Sequence, residues 1–334
     1  MKKILFAIVA LTSLLTAQAQ ETPQYSLLKK IDLPGDGKWD YMYADDASNK
    51  LYVSHGDRVH VIDMSSNAAV GEWKGLANVH GICLAAKQHK AYIANTGENN
   101  VVVYNTQNSE KIATIELKDA KKPDCILFDN FSQQVFVFCG KSNNAYVIDI
   151  KTDKVIATIA IEGKPEFACT NEKGLIYNNL EDKSEVVVID AKAHTVVKHF
   201  SLAPDKAPTG ITIDLKNDRL MSVCEETKNM VVLSASNGKL LAAVGIGEKV
   251  DGVVYDKSRQ VVITSNGAGT ATVIKQETPD TYKAIQTIQT HPGLKTIACG
   301  GAQHNFYLSG AEFQADGKTI APGTFAVYVY SVGK

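Results

Sequence analysis

A short apolar strand followed by a turn recurs seven times along this chain, and few architectures accept such a pattern. The copies are Leu51-Tyr-Val-Ser-His-Gly56, Ala91-Tyr-Ile-Ala-Asn-Thr-Gly97, Val135-Phe-Val-Phe-Cys-Gly140, Leu175-Ile-Tyr-Asn-Asn179, Leu220-Met-Ser-Val-Cys224, Val261-Val-Ile-Thr-Ser-Asn-Gly267 and Phe306-Tyr-Leu-Ser-Gly310. Their second residues stand at positions 52, 92, 136, 176, 221, 262 and 307, so the spacings are 40, 44, 40, 45, 41 and 45. Units of this length hold four short strands each and cannot bury an apolar face alone.

Each unit carries a further strand after a polar turn, as in Val59–Asp63, Val101–Asn105, Ala145–Asp149 and Val186–Asp190. Another strand alternates apolar and polar residues, as in Lys111-Ile-Ala-Thr-Ile-Glu-Leu117, and suits the outer edge of a unit. No useful amphipathic helical stretch is present. The pattern predicts an all-β chain, a seven-bladed β-propeller of four-stranded antiparallel blades. The blades fall near 38–75, 79–118, 123–162, 165–203, 208–247, 250–290 and 294–334. Tyr25–Leu33 reads as an outer strand with no unit before it, while the seventh unit lacks one. Pairing the two closes the ring and removes exposed edges.

The stretch Tyr92-Ile-Ala-Asn-Thr-Gly-Glu-Asn-Asn-Val-Val-Val-Tyr-Asn105 is similar to the signature of the YVTN family of surface-layer-type, YncE-like propellers. Val59–Asp63 and Val186–Asp190 look like that signature's Val-Ile-Asp ending. The resemblance covers nearly all of residues 20–334. It implies the fold and is almost silent on activity, because propellers host unrelated functions. Trp39-Asp40 is not a WD40 cue, since it sits at the start of a unit's first strand with no Gly-His partner before it.

The N-terminus reads as a secretory signal. Lys2 and Lys3 precede an apolar run, Ile4–Leu15, and Ala17-Gln18-Ala19 offers a cleavage site after Ala19. Residues 1–19 are therefore expected to be removed and 20–334 to form one domain, periplasmic or secreted and free of membrane spans. Removing two lysines leaves 33 basic against 36 acidic residues (35 − 2 against 36), which gives no reason to expect nucleic acid as a partner. The six cysteines form no C-x-x-C pair and read as buried small hydrophobes, although an exported location permits disulfides.

Propeller topology says where a site would lie. First strands line the central channel and run the same way, so residues at their starts form a ring at one mouth. Aligned units put Asp40, His80, Asp124, Glu166, Thr209, Asp251 and Lys295 on that ring. The resemblance implies a small, uncharged residue there, and this chain departs from it. Second-strand ends and the turns after them return to the same mouth and add His55, Asn95, Cys139, Asn179, Cys224, Glu225 and Asn266.

Three readings of the ring stay open. Asp40, His80, Asp124, Glu166 and Asp251 hold a divalent cation such as Ca, Mg, Mn or Zn, because clustered carboxylates need neutralising. With His80 as base, that site would serve a metal-assisted hydrolase or lyase. Alternatively the mouth binds a small cationic or hydroxyl-rich ligand, or an exported protein partner, with Trp39 and Tyr41 as stacking surfaces. Or the charges are solvated and Lys295 pairs with a neighbouring acid. A binding scaffold leads these readings, with the enzyme as the alternative, and the closed ring suits a monomer. The long insertion Ala311–Thr324 in the seventh unit is expected to lean over the mouth as a partial lid. His291 is expected near that mouth and His304 at the opposite face.

Overall fold

The computed structural model describes residues 23–333. The signal segment expected at 1–19 lies outside the described residues. Seven four-stranded antiparallel sheets stand around a central channel, and the chain is a seven-bladed β-propeller. Blade 1 runs Trp39–Asp45, Lys50–His55, Arg58–Asp63 and Ala68–Trp73, innermost strand first, and blades 2 to 6 repeat that order.

The turns explain the repeated polar residues. In the third-to-fourth strand turns, Asp63, Asn105, Asp149 and Asp190 use a side-chain oxygen to accept backbone N–H groups two or three residues on. Four residues after each of these comes a left-handed residue: Asn67, Ser109, Asp153 and His194. The Asp of the Val-Ile-Asp ending is thus a turn former, not a ligand.

Second and third strands are buried on both faces, whereas an outer strand such as Lys154–Ala160 alternates exposed positions with partly or fully buried ones. Seven hydrophobic clusters result, one at each junction between neighbouring blades. No blade has a core of its own. The cluster joining blades 2 and 3, for example, packs Cys83, Tyr92 and Val103 against Val135, Val137 and Ile148.

Closure follows the sequence expectation. Tyr25–Asp32 pairs antiparallel with Ala326–Val332 and completes the sheet begun by Thr296–Gly300 and Asn305–Gly310. It buries Tyr25 and Ile31, and Leu33 follows into the junction of blades 7 and 1. No helix among the described residues is long and apolar enough to cross a membrane. All six cysteines are free thiols, four of them buried.

Candidate functional site

In blades 1 to 6 the pairing of first and second strands slips at one place, just after the first residue of the first strand. The ring residues Asp40, His80, Asp124, Glu166, Thr209 and Asp251 occupy these six irregularities. A bulge re-aims the side chain it carries, and here it turns each ring residue toward the mouth. Blade 7 has no such slip, and Lys295 enters from the loop before its first strand. Glycines let the ring close up. A Cβ on Gly81 would lie 2.5 Å from the Asp124 carbonyl oxygen, and one on Gly210 would lie 2.8 Å from that of Asp251.

The ring is a network of ion pairs rather than a bare acidic cluster. His80 Nδ1 lies 2.6 Å from Asp40 Oδ2 and 2.9 Å from Asp124 Oδ1. Lys122 Nζ sits 2.6 Å from Asp124 Oδ2. Lys164 Nζ sits 2.9 Å from Glu166 Oε1 and also pairs with Glu181. Lys295 Nζ is 3.1 Å from Asp251 Oδ2 and 3.8 Å from Asp40 Oδ1. Its approach to Asp251 is a charge contact without hydrogen-bond geometry, and that Oδ2 has no hydrogen-bond partner.

Burial opposes a charge on His80, but hydrogen bonds to Asp124 and Asp40 outweigh it and lift its pKa from 6.5 to about 9. At neutral pH the ring is therefore an imidazolium, which cannot accept a proton. That argues against His80 as a general base in this arrangement. Burial also works against the Asp124 carboxylate, yet the His80 hydrogen bond and the Lys122 charge hold its pKa below the usual range. Glu166 is pushed up by burial and then by the Asp124 charge, and Asp251 by burial against the pull of Lys295.

The His80 shift carries a pH signature. The folded state keeps a proton that the unfolded chain releases near pH 6.5, so this contribution is full below pH 6.5 and is lost as pH rises through about 9. It amounts to about 3 kcal/mol. Urea unfolding at pH 6.5 and 9.5 should show that loss in the native chain, and a His80→Gln variant should show little of it. Equal slopes in both proteins would refute the assignment.

Two adjoining cavities open at this mouth, with Gly293, Lys295 and Phe313 shared between them. The first, about 450 Å³, holds the carboxylates Glu166, Glu181, Glu225 and Asp251 with Lys164 and Lys249, and Thr209 lines it. The second, about 530 Å³, holds Lys38, Lys122, Lys318, His80 and a single carboxylate, Asp40. Trp39, Val79 and Ile320 complete its wall. The insertion in blade 7 forms a small hairpin, bridged between Phe313 and Ile320. It brings Phe313 to 6.3 Å from the Trp39 ring and borders both cavities, at the mouth toward which the sequence pointed it.

Several sequence expectations are corrected. Tyr41 does not face the mouth. It lies one step down the channel, where its ring meets Phe167 of blade 4 at 4.4 Å. The bulge after Trp39 reorients the strand there. Tyr41 and Phe167 line a lower, apolar cavity of about 360 Å³ together with Cys83, Cys125, Cys169 and Cys299. His55, Asn95 and Asn266 are 1%, 0% and 0% exposed, so none of them presents its side chain to the open mouth. Asn95 accepts from Ala77 N–H and donates to Glu98 and Asn100. Asn266 bonds Thr264, Thr270 and Thr272. Asn179 likewise donates to the Thr209 and Gly210 carbonyls. Of the five expected metal ligands, only Asp40, His80 and Asp124 bring ligand atoms within 4.8 Å of one another. Glu166 and Asp251 stand apart from that group. His291 packs on Tyr328 beside Pro292, which lines the first cavity. His304 sits beside Asp256 at the far face.

Lysines are what sequence reasoning missed. Each acidic ring residue has a lysine two positions earlier: Lys38-Trp39-Asp40, Lys122-Pro123-Asp124, Lys164-Pro165-Glu166 and Lys249-Val250-Asp251. The other three units lack one there. That paired signal was present in the alignment of unit starts.

A scan against protein-family models finds no match, and no curated protein matches. Among solved structures the chain is similar to one described as Kuenenia stuttgartiensis hydrazine synthase, with a TM-score of 0.69 and 16% identity over 84% of this chain and 94% of that one. At that identity the likeness shows the propeller fold alone.

Proposed function

We infer that this chain is an exported binding propeller of the YVTN-like type, acting as a monomer, whose channel mouth takes a small ligand. One observation carries the reading. Six bulges aim charged or polar side chains into a mouth that opens into two adjoining cavities, and a non-repeating hairpin overhangs it. A purely structural ring has no need of either device. Cavities of this size suit small molecules. The segment at 1–19 supports export, and residues 20–334 are taken as a single domain.

Trp39 borders the second cavity and is one of only two tryptophans, the other being Trp73. Trp73 is buried between Tyr52 and Tyr104. Ligand in the mouth should therefore change tryptophan emission through Trp39. Small charged compounds screened on the chain from residue 20 should give saturable emission changes and raised melting temperatures. A Lys295→Ala variant should weaken them tenfold or more. A screen without a saturable response, or with responses untouched by that substitution, sinks the reading.

A second reading has one observation in its favour, the close approach of Asp40, His80 and Asp124 ligand atoms. A divalent ion there would replace the His80 proton, and it would present open positions to the second cavity as a metal-assisted hydrolase or lyase requires. Because His80 must lose its proton, binding of Zn²⁺ should tighten as pH rises toward about 9 and release protons below it. Calorimetry with Zn²⁺, Mn²⁺, Mg²⁺ and Ca²⁺ tests this, beside Asp124→Ala and Glu166→Ala. Asp124→Ala should abolish binding and Glu166→Ala should not. Heats that ignore both pH and Asp124→Ala dispose of the metal.

A further inference from the structure

The two halves of the mouth are not alike, and the difference names a ligand class. The first cavity sets four carboxylates against its lysines. In the second, Lys38, Lys122, Lys318 and Lys295 face the single carboxylate Asp40. Asp124 beneath neutralises Lys122 and shares His80 with Asp40. Lys38 and Lys318 stand exposed at the rim and enter no ion pair among the described residues. One comes from the loop entering blade 1 and the other from the overhanging hairpin. Two unpaired ammonium groups thus converge on one opening from unrelated parts of the chain.

The wall below them is apolar. The Trp39 ring is held by Phe313 at 6.3 Å and Phe325 at 5.8 Å, and Ile320 and Val79 extend the surface. A cation entering here would meet lysines before it met Asp40. A neutral hydroxyl-rich ligand can stack on the Trp39 wall, but it leaves the Lys38 and Lys318 ammonium groups without a counter-charge. A molecule with a flat or branched hydrocarbon body and one anionic group satisfies both surfaces.

We propose that the Trp39 side of the mouth is a site for an amphipathic organic anion, a carboxylate or sulfonate on an apolar body. The body lies against Trp39, Phe313 and Ile320, and the anionic group sits between Lys38 and Lys318. This rests on the reading of the mouth as a ligand site and narrows it. Lys318 rides on the hairpin, so an anion bound between the two lysines also draws the hairpin toward the rim of blade 1.

The test uses 8-anilino-1-naphthalenesulfonate as the anionic probe and 2-naphthylmethylammonium as a cation of similar body. Both are titrated into the chain from residue 20, with tryptophan excitation as the readout. The expected result is one saturable sulfonate site that quenches tryptophan emission and weakens with salt. A Lys38→Glu/Lys318→Glu variant should lose at least tenfold in affinity while keeping its melting temperature, since both residues are exposed. Phe313→Ala should also weaken it, through the body rather than the charge. Should the ammonium probe saturate and quench while the sulfonate does not, the anion assignment falls and the mouth survives as a site. If neither probe quenches tryptophan, both readings fall. Sulfonate binding unchanged in the lysine variant places the probe elsewhere and overturns the proposal.

Discussion

A chain beginning at residue 34 should fail to fold cooperatively. Removing Tyr25–Asp32 and Leu33 leaves Ala326–Val332 as an unpaired edge and withdraws Tyr25, Ile31 and Leu33, which are 3%, 7% and 3% exposed. Burying each such side chain contributes about 1.5–3 kcal/mol, so the three together approach ~6 kcal/mol. That is comparable with the whole stability of a typical domain, about 5–15 kcal/mol. The cost does not stay local, because every core lies between two blades and an opened ring weakens both neighbours of the gap. Near-ultraviolet circular dichroism and urea unfolding of the shortened chain are the measurement. Adding a synthetic peptide of residues 23–34 should restore part of the native signal. A shortened chain that melts like the longer one would show that the strand is ornamental.

The second large effect is acid sensitivity from a buried histidine pair behind the mouth. His55 and His60 are 1% and 2% exposed, and His55 Nδ1 lies 3.2 Å from His60 Nε2. The His55 ring stacks on Phe325 at 3.7 Å, and its Nε2 has no hydrogen-bond partner. Burial, then the His60 and Arg58 charges, lowers the His55 pKa to about 4, and burial with Arg58 does the same for His60. The unfolded chain protonates both near pH 6.5. Their contribution is therefore whole above pH 6.5 and is lost as pH falls through about 4. Each ring accounts for about 3 kcal/mol over that window. Turn carboxylates held below their usual range, such as Asp63, Asp149 and Asp190, take effect only below the normal carboxylate range. Urea unfolding at pH 7 and pH 4.5 should show a fall of several kcal/mol, and a His55→Gln/His60→Gln variant, less stable at pH 7, should show a much flatter response. The comparison cancels the opposite-signed rise of Glu166 and Asp251, which both proteins share. An unchanged slope in the variant would refute the pair as the cause.

The fold was legible because its repeat is chemical as well as numerical. Each unit carries apolar runs for two buried strands, an alternating outer strand, and a turn former such as Asp63 or Asp149 at a fixed offset. The ring was legible for the same reason, since equivalent positions in a propeller share a height. What lay hidden depends on things one strand does not encode. Tyr41 left the mouth because a bulge changes the direction of side chains after it. Asn95, Asn179 and Asn266 looked like ligands because an asparagine that binds backbone and one that binds a substrate read alike. Lys122 and Lys164 precede prolines in entering loops, where no periodic pattern draws attention, and their length lets them reach back to Asp124 and Glu166. The ring that reads as acidic along the chain is thus largely neutralised in space.

The contact between Tyr41 and Phe167 joins blades 1 and 4 across the axis. That crossbar narrows the channel between the mouth and the hollow lined by Cys83, Cys125, Cys169 and Cys299. On the proposed reading a ligand entering past Lys38 and Phe313 rests above the crossbar, with the thiol-lined hollow beneath it. If the mouth takes the proposed ligand, the hairpin that carries Phe313 and Lys318 is the part of the lip placed to set how long it stays.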